Sequence, residues 1–169
     1  ELVFVNDGSI DNSLQIIKQL SANDKRIKYI DLSRNFGHQI AITAGIEATK
    51  GERIVIMDAD FQDPPALIAD LSKKMDEGFD VVYARRLTRR GDSVFKKTTA
   101  RLFYRTLSLI TRSKIPVDTG DFRIINRKVA NILMKMPEQQ KFLRGQIAWI
   151  GMKQTSVDFI RDKRSEGKS

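Results

Sequence analysis

The stretch "IVIMDADFQDPP", residues 54–65, decides how this chain is read. An apolar, β-branched run ends in Asp58, Asp60 and Asp63, interleaved with Gln62 and closed by Pro64 and Pro65. The run reads as a buried strand, and the acids fall where it stops. Carboxylates this close together repel one another unless something positive lies between them. Proline suits the first turn of a helix, so a helix is expected over "PPALIADLSKKMDEG" (64–78), with Gly78 after its end.

The same alternation extends outward on both sides. Upstream, "LVFV" (2–5) is a strand stopped by "NDGS", and "DNSLQIIKQLSA" carries Leu14, Ile17 and Leu20 at helical spacing. "IKYIDL" (27–32) reads as a second strand and "HQIAITAGIEATKG" (38–51) as a small-residue helix. "RIVIMDAD" (53–60) is then a third strand, and "DVVYA" (80–84) a fourth beyond the 64–78 helix. Strands alternating with helices of this length imply an α/β fold whose mostly parallel central sheet has helices on both faces. After residue 84 the rhythm breaks. A basic helical stretch over about 93–113 leads to "IPVDTGDFRIIN", to which no element is assigned, then to helices near 127–135 and 140–149 and a strand "QTSVDFI".

At 169 residues, 41% of them hydrophobic, the chain has the size and the apolar content of one domain with a real core. It has no cysteine, which removes disulfides and thiolate metal sites and fits a reducing compartment. No run reaches the roughly 18 to 20 apolar residues needed to span a bilayer, so the chain as given is expected to be soluble. The net charge of +9 favours phosphate-bearing or anionic partners. Most of the excess is local: ten basic residues and one acid, Asp92, lie between Arg85 and Lys114.

In open α/β sheets ligands bind beyond the carboxyl ends of strands, which is where "DAD" falls. While the chain stays extended, Asp58 and Asp60 point to the same side, with Gln62 following. Their oxygens suit a hard divalent cation, Mg²⁺ or Mn²⁺, completed by substrate phosphates. The plainer reading is a solvated acidic turn in which Asp63 caps the helix at Pro64, and for Asp63 that reading is preferred. In "VNDGSIDNS", Gly8 permits a tight turn and Ser9 or Asp11 can cap a helix. Lying at another strand end, Asp7 is a candidate acceptor for a nucleobase or ribose.

The ordered series "VNDGSIDNS", "RNFGHQIAITAGI", "IVIMDADFQDPP", "VDTGDFRIINRKV", "FLRGQIAWIG" and "RDKRSEGKS" resembles glycosyltransferase family 2. The likeness is to the branch that moves sugars from nucleotide donors to polyprenyl phosphate, the bactoprenol glucosyltransferases and dolichyl-phosphate mannose synthases. It runs through nearly the whole chain, and the combination is specific although "DxD" alone is weak. The resemblance implies a GT-A (Rossmann-like) fold, metal-dependent donor binding and inversion at the anomeric carbon. It implies that Asp7 faces the nucleotide, that Asp58 lies near donor and metal, and that Asp60 and Gln62 bind the cation. In "DTGDF", Asp121 matches a residue proposed as base or acceptor-positioning group. A phosphate nucleophile is already anionic and needs alignment more than deprotonation. Arg85, Arg123 and Arg144 are the candidates to hold that phosphate, since a guanidinium fork matches its oxygens. Arg164, with Lys168 as a weaker companion, would reach the donor diphosphate.

Family members begin with a further strand that grips the nucleotide and often continue into transmembrane helices. The expectation is therefore a single catalytic domain over 1–169, cut at both ends, from a parent on the cytoplasmic face of the membrane. In the basic segment, Phe95, Leu102, Phe103, Leu107 and Ile110 fall near one helical face, and basic residues cover much of the rest. Such a helix either lies on an anionic membrane surface or packs its stripe on the core. His38, the only histidine, is read as a helix-start residue with no catalytic role, and Trp149 as core or interface. Two rivals stay open: transfer to a glycan acceptor, and a noncatalytic basic module that binds nucleic acid. The second is disfavoured because paired carboxylates at a strand end repel a phosphate backbone, and no nucleic-acid partner is expected.

Overall fold

The computed structural model of the protein describes residues 1–60, 62–87 and 119–160. The basic helical stretch expected over 93–113, and with it the membrane-surface reading, lies outside the described residues, as do Arg164 and Lys168. Strand β1 (Leu2–Asn6) pairs in parallel with β2 (Ile27–Asp31), Leu2 opposite Ile27 and Asn6 opposite Asp31, joined through helix α1 (Ser13–Asn23). Helix α2 (His38–Ala48) leads to β3 (Arg53–Ile56). A 3₁₀ turn at Pro65–Leu67 opens α3 (Ile68–Asp76), which is followed by β4 (Val81–Arg86). The last described region runs β5 (Thr119–Asn126), α4 (Arg127–Lys135), α5 (Leu143–Ile150) and β6 (Gln154–Phe159).

Four of these strands form one sheet in the order β3-β5-β4-β6. Its centre is mixed: β4 and β6 are parallel, whereas β5 runs antiparallel to both β3 and β4. The unassigned "IPVDTGDFRIIN" thus holds a central strand. Charged Asp121 and Arg123 interrupt its apolar alternation, which is why the pattern hid it.

Alternation along β4 and β5 builds a core on each face. Val81, Tyr83 and Ile125 join Ile54 and Ile56 of β3 and pack against Val129, Ala130 and Leu133 of α4, Leu143 and Ile147 of α5, and Ile46 of α2. Val82, Ala84, Phe122 and Ile124 turn the other way onto Leu71 and Met75 of α3 and Phe159 of β6. Helices therefore cover both faces, as the period-2 pattern of a buried sheet requires. Each large aliphatic side chain buried here contributes about 1.5–3 kcal/mol.

Local chemistry sets the element ends. Asn126 caps α4, its side-chain oxygen accepting from Val129 N, and Gly151 at φ +72° ends α5 in the left-handed conformation. Asp63, just before the turn that begins at Pro64, is buried at 5% exposure, so the acidic turn is not the solvated one the sequence suggested. The small residues of α2 allow it to approach β1, where a Cβ on Gly45 would stand 3.2 Å from Val5 Cγ2.

Gly8 matters more for the loop ends that face the site. It adopts φ +72°, and a Cβ there would lie 2.6 Å from Asn35 N and 2.9 Å from Arg34 C. Gly8→Ala is therefore expected to cost about 1–3 kcal/mol through a left-handed backbone that a side chain strains, before any clash is counted. A lower urea midpoint at unchanged slope is the measurement that checks it.

Candidate active site

The β3–β5 register brings the principal carboxylates together. Ile56 stands opposite Arg123 in the last antiparallel pair of β3, and Asp58 and Asp121 each lie two residues beyond it, both near His38 Nε2. Two like charges converging at a sheet end need positive or hydrogen-donating neighbours. Three side chains supply them. Arg123 Nη2 donates to Asp121 Oδ1 at 2.5 Å, and Arg144 on α5 spans the same carboxylate, Nε to Oδ1 at 3.2 Å and Nη2 to Oδ2 at 3.3 Å. His38, the first residue of α2, places Nε2 2.9 Å from Asp121 Oδ2 and 3.8 Å from Asp58 Oδ1.

Burial divides these groups into a floor and a rim. Arg123 is 1% exposed and Asp121 8%, whereas the side chains of Arg144, Asp58 and His38 are 28%, 38% and 49% exposed. Arg123 is further fixed by donating from Nε to the Asp121 carbonyl and from Nη2 to the Gly120 carbonyl, with its Cζ 5.2 Å from the Tyr83 ring centroid. Its guanidinium is part of the floor, turned into Asp121 and not presented at the surface.

Burial alone would raise the Asp121 pKa, but hydrogen bonds from His38 and Arg144 and the charges of Arg123 and Arg144 together hold it far below the ordinary carboxylate range. Asp121 is therefore ionised and accepts only, which requires Nε2 of His38 to carry the proton. The hydrogen bond to Asp121 in turn raises the His38 pKa, helped by the negative charge of Asp58. Desolvation pushes the Arg123 pKa down against the pull of Tyr83 and Asp121, and burial lifts the Tyr83 hydroxyl to about 12. With donors on both oxygens from three side chains, Asp121 is a poor proton acceptor and a good anchor.

The loop after β1 sets where α2 begins. Asp7 accepts from Phe36 N at 2.7 Å and from Gly37 N at 2.9 Å, one oxygen to each. The next residue but one, Gln39, reaches across to α5, its Oε1 accepting from Leu143 N at 3.1 Å. Asn6, buried beside Asp7, donates to Asp31 Oδ1 and accepts from Ser9 N, tying β1, β2 and the turn together.

Residues 1–133 of this chain match the family model of Glycosyl transferase family 2. The chain belongs to that family. Among curated relatives of this family member, an uncharacterized glycosyltransferase YkcC of Bacillus subtilis (strain 168) is 52% identical over 169 residues, 100% of this chain and 52% of the relative. A prophage bactoprenol glucosyl transferase homolog of Escherichia coli (strain K12) is 37% identical over 99% of this chain and 55% of its own length. The chain thus spans about half the length of the curated relatives it matches. Among solved structures, mannosyltransferase PcManGT from Pyrobaculum calidifontis, in complex with GDP-Man and Mn²⁺, aligns with a TM-score of 0.64 at 17% identity, over 98% of this chain and 48% of that one. This likeness establishes the GT-A fold.

Within this chain, the residues singled out in the sequence are not all brought together. Asp58, Asp121, Arg123 and Arg144 converge, and Asp7 reaches the group indirectly, through the backbone before His38. Arg85 pairs instead with Asp158 across β4–β6, Nε to Oδ1 at 2.6 Å and Nη2 to Oδ2 at 2.9 Å. Asp60 accepts from Gln62 N at 3.1 Å, a local turn that orients its carboxylate just past the sheet end. No group of three or more metal-ligating acids or histidines forms among the described residues. One or two carboxylates and an amide, as Asp58, Asp60 and Gln62 would supply, suit a hard cation whose remaining ligands come from a diphosphate and do not make a protein-only cage. His38 is the functional candidate that sequence reading missed. Its acidic partner lies 83 residues away, and the cue available was its place at a helix start after a glycine. Trp149 is 66% exposed and so is not core.

Proposed function

We propose that this glycosyltransferase moves a sugar from a nucleotide-sugar donor, UDP-glucose or a close analogue, to polyprenyl phosphate at the cytoplasmic face of a membrane, inverting the anomeric carbon. The observation that carries the proposal is the row Asp58, His38, Asp121, Arg144 at the end of β3, where negative and hydrogen-donating groups alternate toward an arginine whose side chain is 28% exposed. Likeness over nearly the whole chain to a bactoprenol glucosyl transferase homologue supports the lipid acceptor. No helix among the described residues is long and apolar enough to cross a membrane.

In this reading residues 1–169 act as one catalytic domain. Asp58, Asp60 and Gln62 would hold Mg²⁺ or Mn²⁺, which when bound neutralises the diphosphate that leaves. Asp7 serves the nucleotide side by fixing the loop from Arg34 to Gly37, and Arg164 and Lys168 are assigned to the donor diphosphate. Arg144 takes the acceptor phosphate, its guanidinium matched to two phosphate oxygens. Arg123 supports from beneath, since it is buried, and Arg85 could join only by leaving Asp158. The acceptor arrives as an anion, so the residues around it orient it for in-line attack and no base is needed. Asp121 holds Arg144 in place.

The test uses the protein with radiolabelled UDP-glucose, Mn²⁺ and polyprenyl phosphate. Label is expected in the organic-extractable lipid. Label retained in a water-soluble glycan would transfer the assignment to a glycan acceptor.

A further inference from the structure

His38 lies between two carboxylates just beyond the β3–β5 pairing, hydrogen-bonding one of them and standing near the other. Nε2 is within hydrogen-bond distance of Asp121 Oδ2 and 3.8 Å from Asp58 Oδ1, and Arg144 holds the far side of the same carboxylate. We infer that His38 is a positioning residue whose Nε2–H fixes the orientation of Asp121 and, through it, the guanidinium of Arg144 that receives the acceptor phosphate. This rests on the reading of Arg144 as the phosphate-binding arginine.

Three features of the structure support the role. The first is the division of Asp121: Oδ1 has Arg123 at 2.5 Å, but Oδ2 has only the long 3.3 Å bond from Arg144 once His38 is removed. A carboxylate held tightly on one oxygen alone can turn about its own axis, and the two-point grip of Arg144 turns with it. The second is the mounting of the imidazole. Its backbone is pinned by the Asp7 carboxylate through Phe36 N and Gly37 N, and Gln39 beside it accepts from Leu143 N, one residue before Arg144. The first two residues of α2 therefore grip β5 through Asp121 and α5 at its first N–H. The third is exposure. At 49% exposed, the His38 side chain contributes little to the core, so its removal separates positioning from folding.

The chain has one histidine, so its imidazole signals need no assignment by mutagenesis when the protein is purified through a tag free of histidine. In nitrogen-15 spectra the wild-type ring is expected as an Nε2–H species with its proton protected from exchange. A freely exchanging ring would overturn the inference. In steady-state assays, His38→Ala is expected to raise KM for polyprenyl phosphate about tenfold, the loss of one hydrogen bond to a charged group. KM for the nucleotide sugar should rise less than KM for the acceptor, since Asp58 at 3.8 Å lies beyond hydrogen-bond distance of Nε2, and the urea midpoint should fall less than in Asp121→Asn, since Asp121 keeps Arg123 and Arg144. His38→Gln, which keeps an N–H donor, should recover most of the loss. An unchanged acceptor KM, or both KM values rising equally with a midpoint as low as that of Asp121→Asn, would overturn the inference. If the wild type transfers no sugar to lipid, the acceptor reading of the preceding section falls on its own, and the ring spectrum still decides whether His38 holds Asp121.

Discussion

Asp121→Asn is expected to destabilise the fold by about 3–5 kcal/mol, the cost of leaving a buried charge without its partner. The orphaned group is Arg123, 1% exposed, whose Nη1 already has no hydrogen-bond partner among the described residues. A carboxamide keeps the shape of Asp121 but removes the negative charge that offsets the desolvation of two arginines. Urea denaturation should show a lower midpoint at constant slope, and adding Arg123→Met should recover part of the loss because no buried cation remains. A single variant as stable as wild type would remove the floor-and-rim account of the site.

Acid supplies a second readout of the same group. The folded-state pKa of Asp121 is depressed from the ordinary value of 3.8, so its contribution is complete above that value and is lost as pH falls toward the folded pKa. Wild type should therefore lose stability on acidification below about pH 4 more steeply than Asp121→Asn, which has nothing to protonate at that position.

Asp60→Asn, or removal of divalent cations by a chelator, is expected to lower sugar transfer by about a thousandfold, since a metal on a leaving diphosphate supplies several kcal/mol of charge stabilisation. Asp60 tests this more cleanly than Asp58, because Asp58 also faces His38. Asparagine retains an oxygen that can accept from Gln62 N, so the turn survives the change. Calorimetric titration of UDP-glucose should show Mn²⁺-dependent affinity in wild type and none in the variant. Equal affinity in both would remove the metal assignment.

Most of the fold was legible because its signals are local. Helix α4 runs from Arg127 to Lys135, as its spacing indicates, and α3 follows the prolines that open its leading turn. The β5 strand was not legible: Asp121 and Arg123 occupy the face that apolar residues would mark, and both are buried because each answers the other's charge. Half of the site was legible for the same reason that the acids stand out at the end of β3. The other half depends on tertiary pairing. Nothing near His38 in sequence hints at Asp121, and nothing near Asp7 hints that its oxygens hold backbone N–H groups rather than standing open. Arg85 shows the converse, a motif-adjacent arginine whose partner Asp158 lies 73 residues downstream.

The place of β5 also bears on how the protein is made. It inserts between β3 and β4, and β4 has its other neighbour, β6, later still. A nascent chain that has emerged only as far as Arg86 carries β3 and β4 without the strand that pairs with both. Unpaired strand edges template association with other chains. The window in synthesis before Thr119 appears is thus the period in which this polypeptide is most in need of a chaperone.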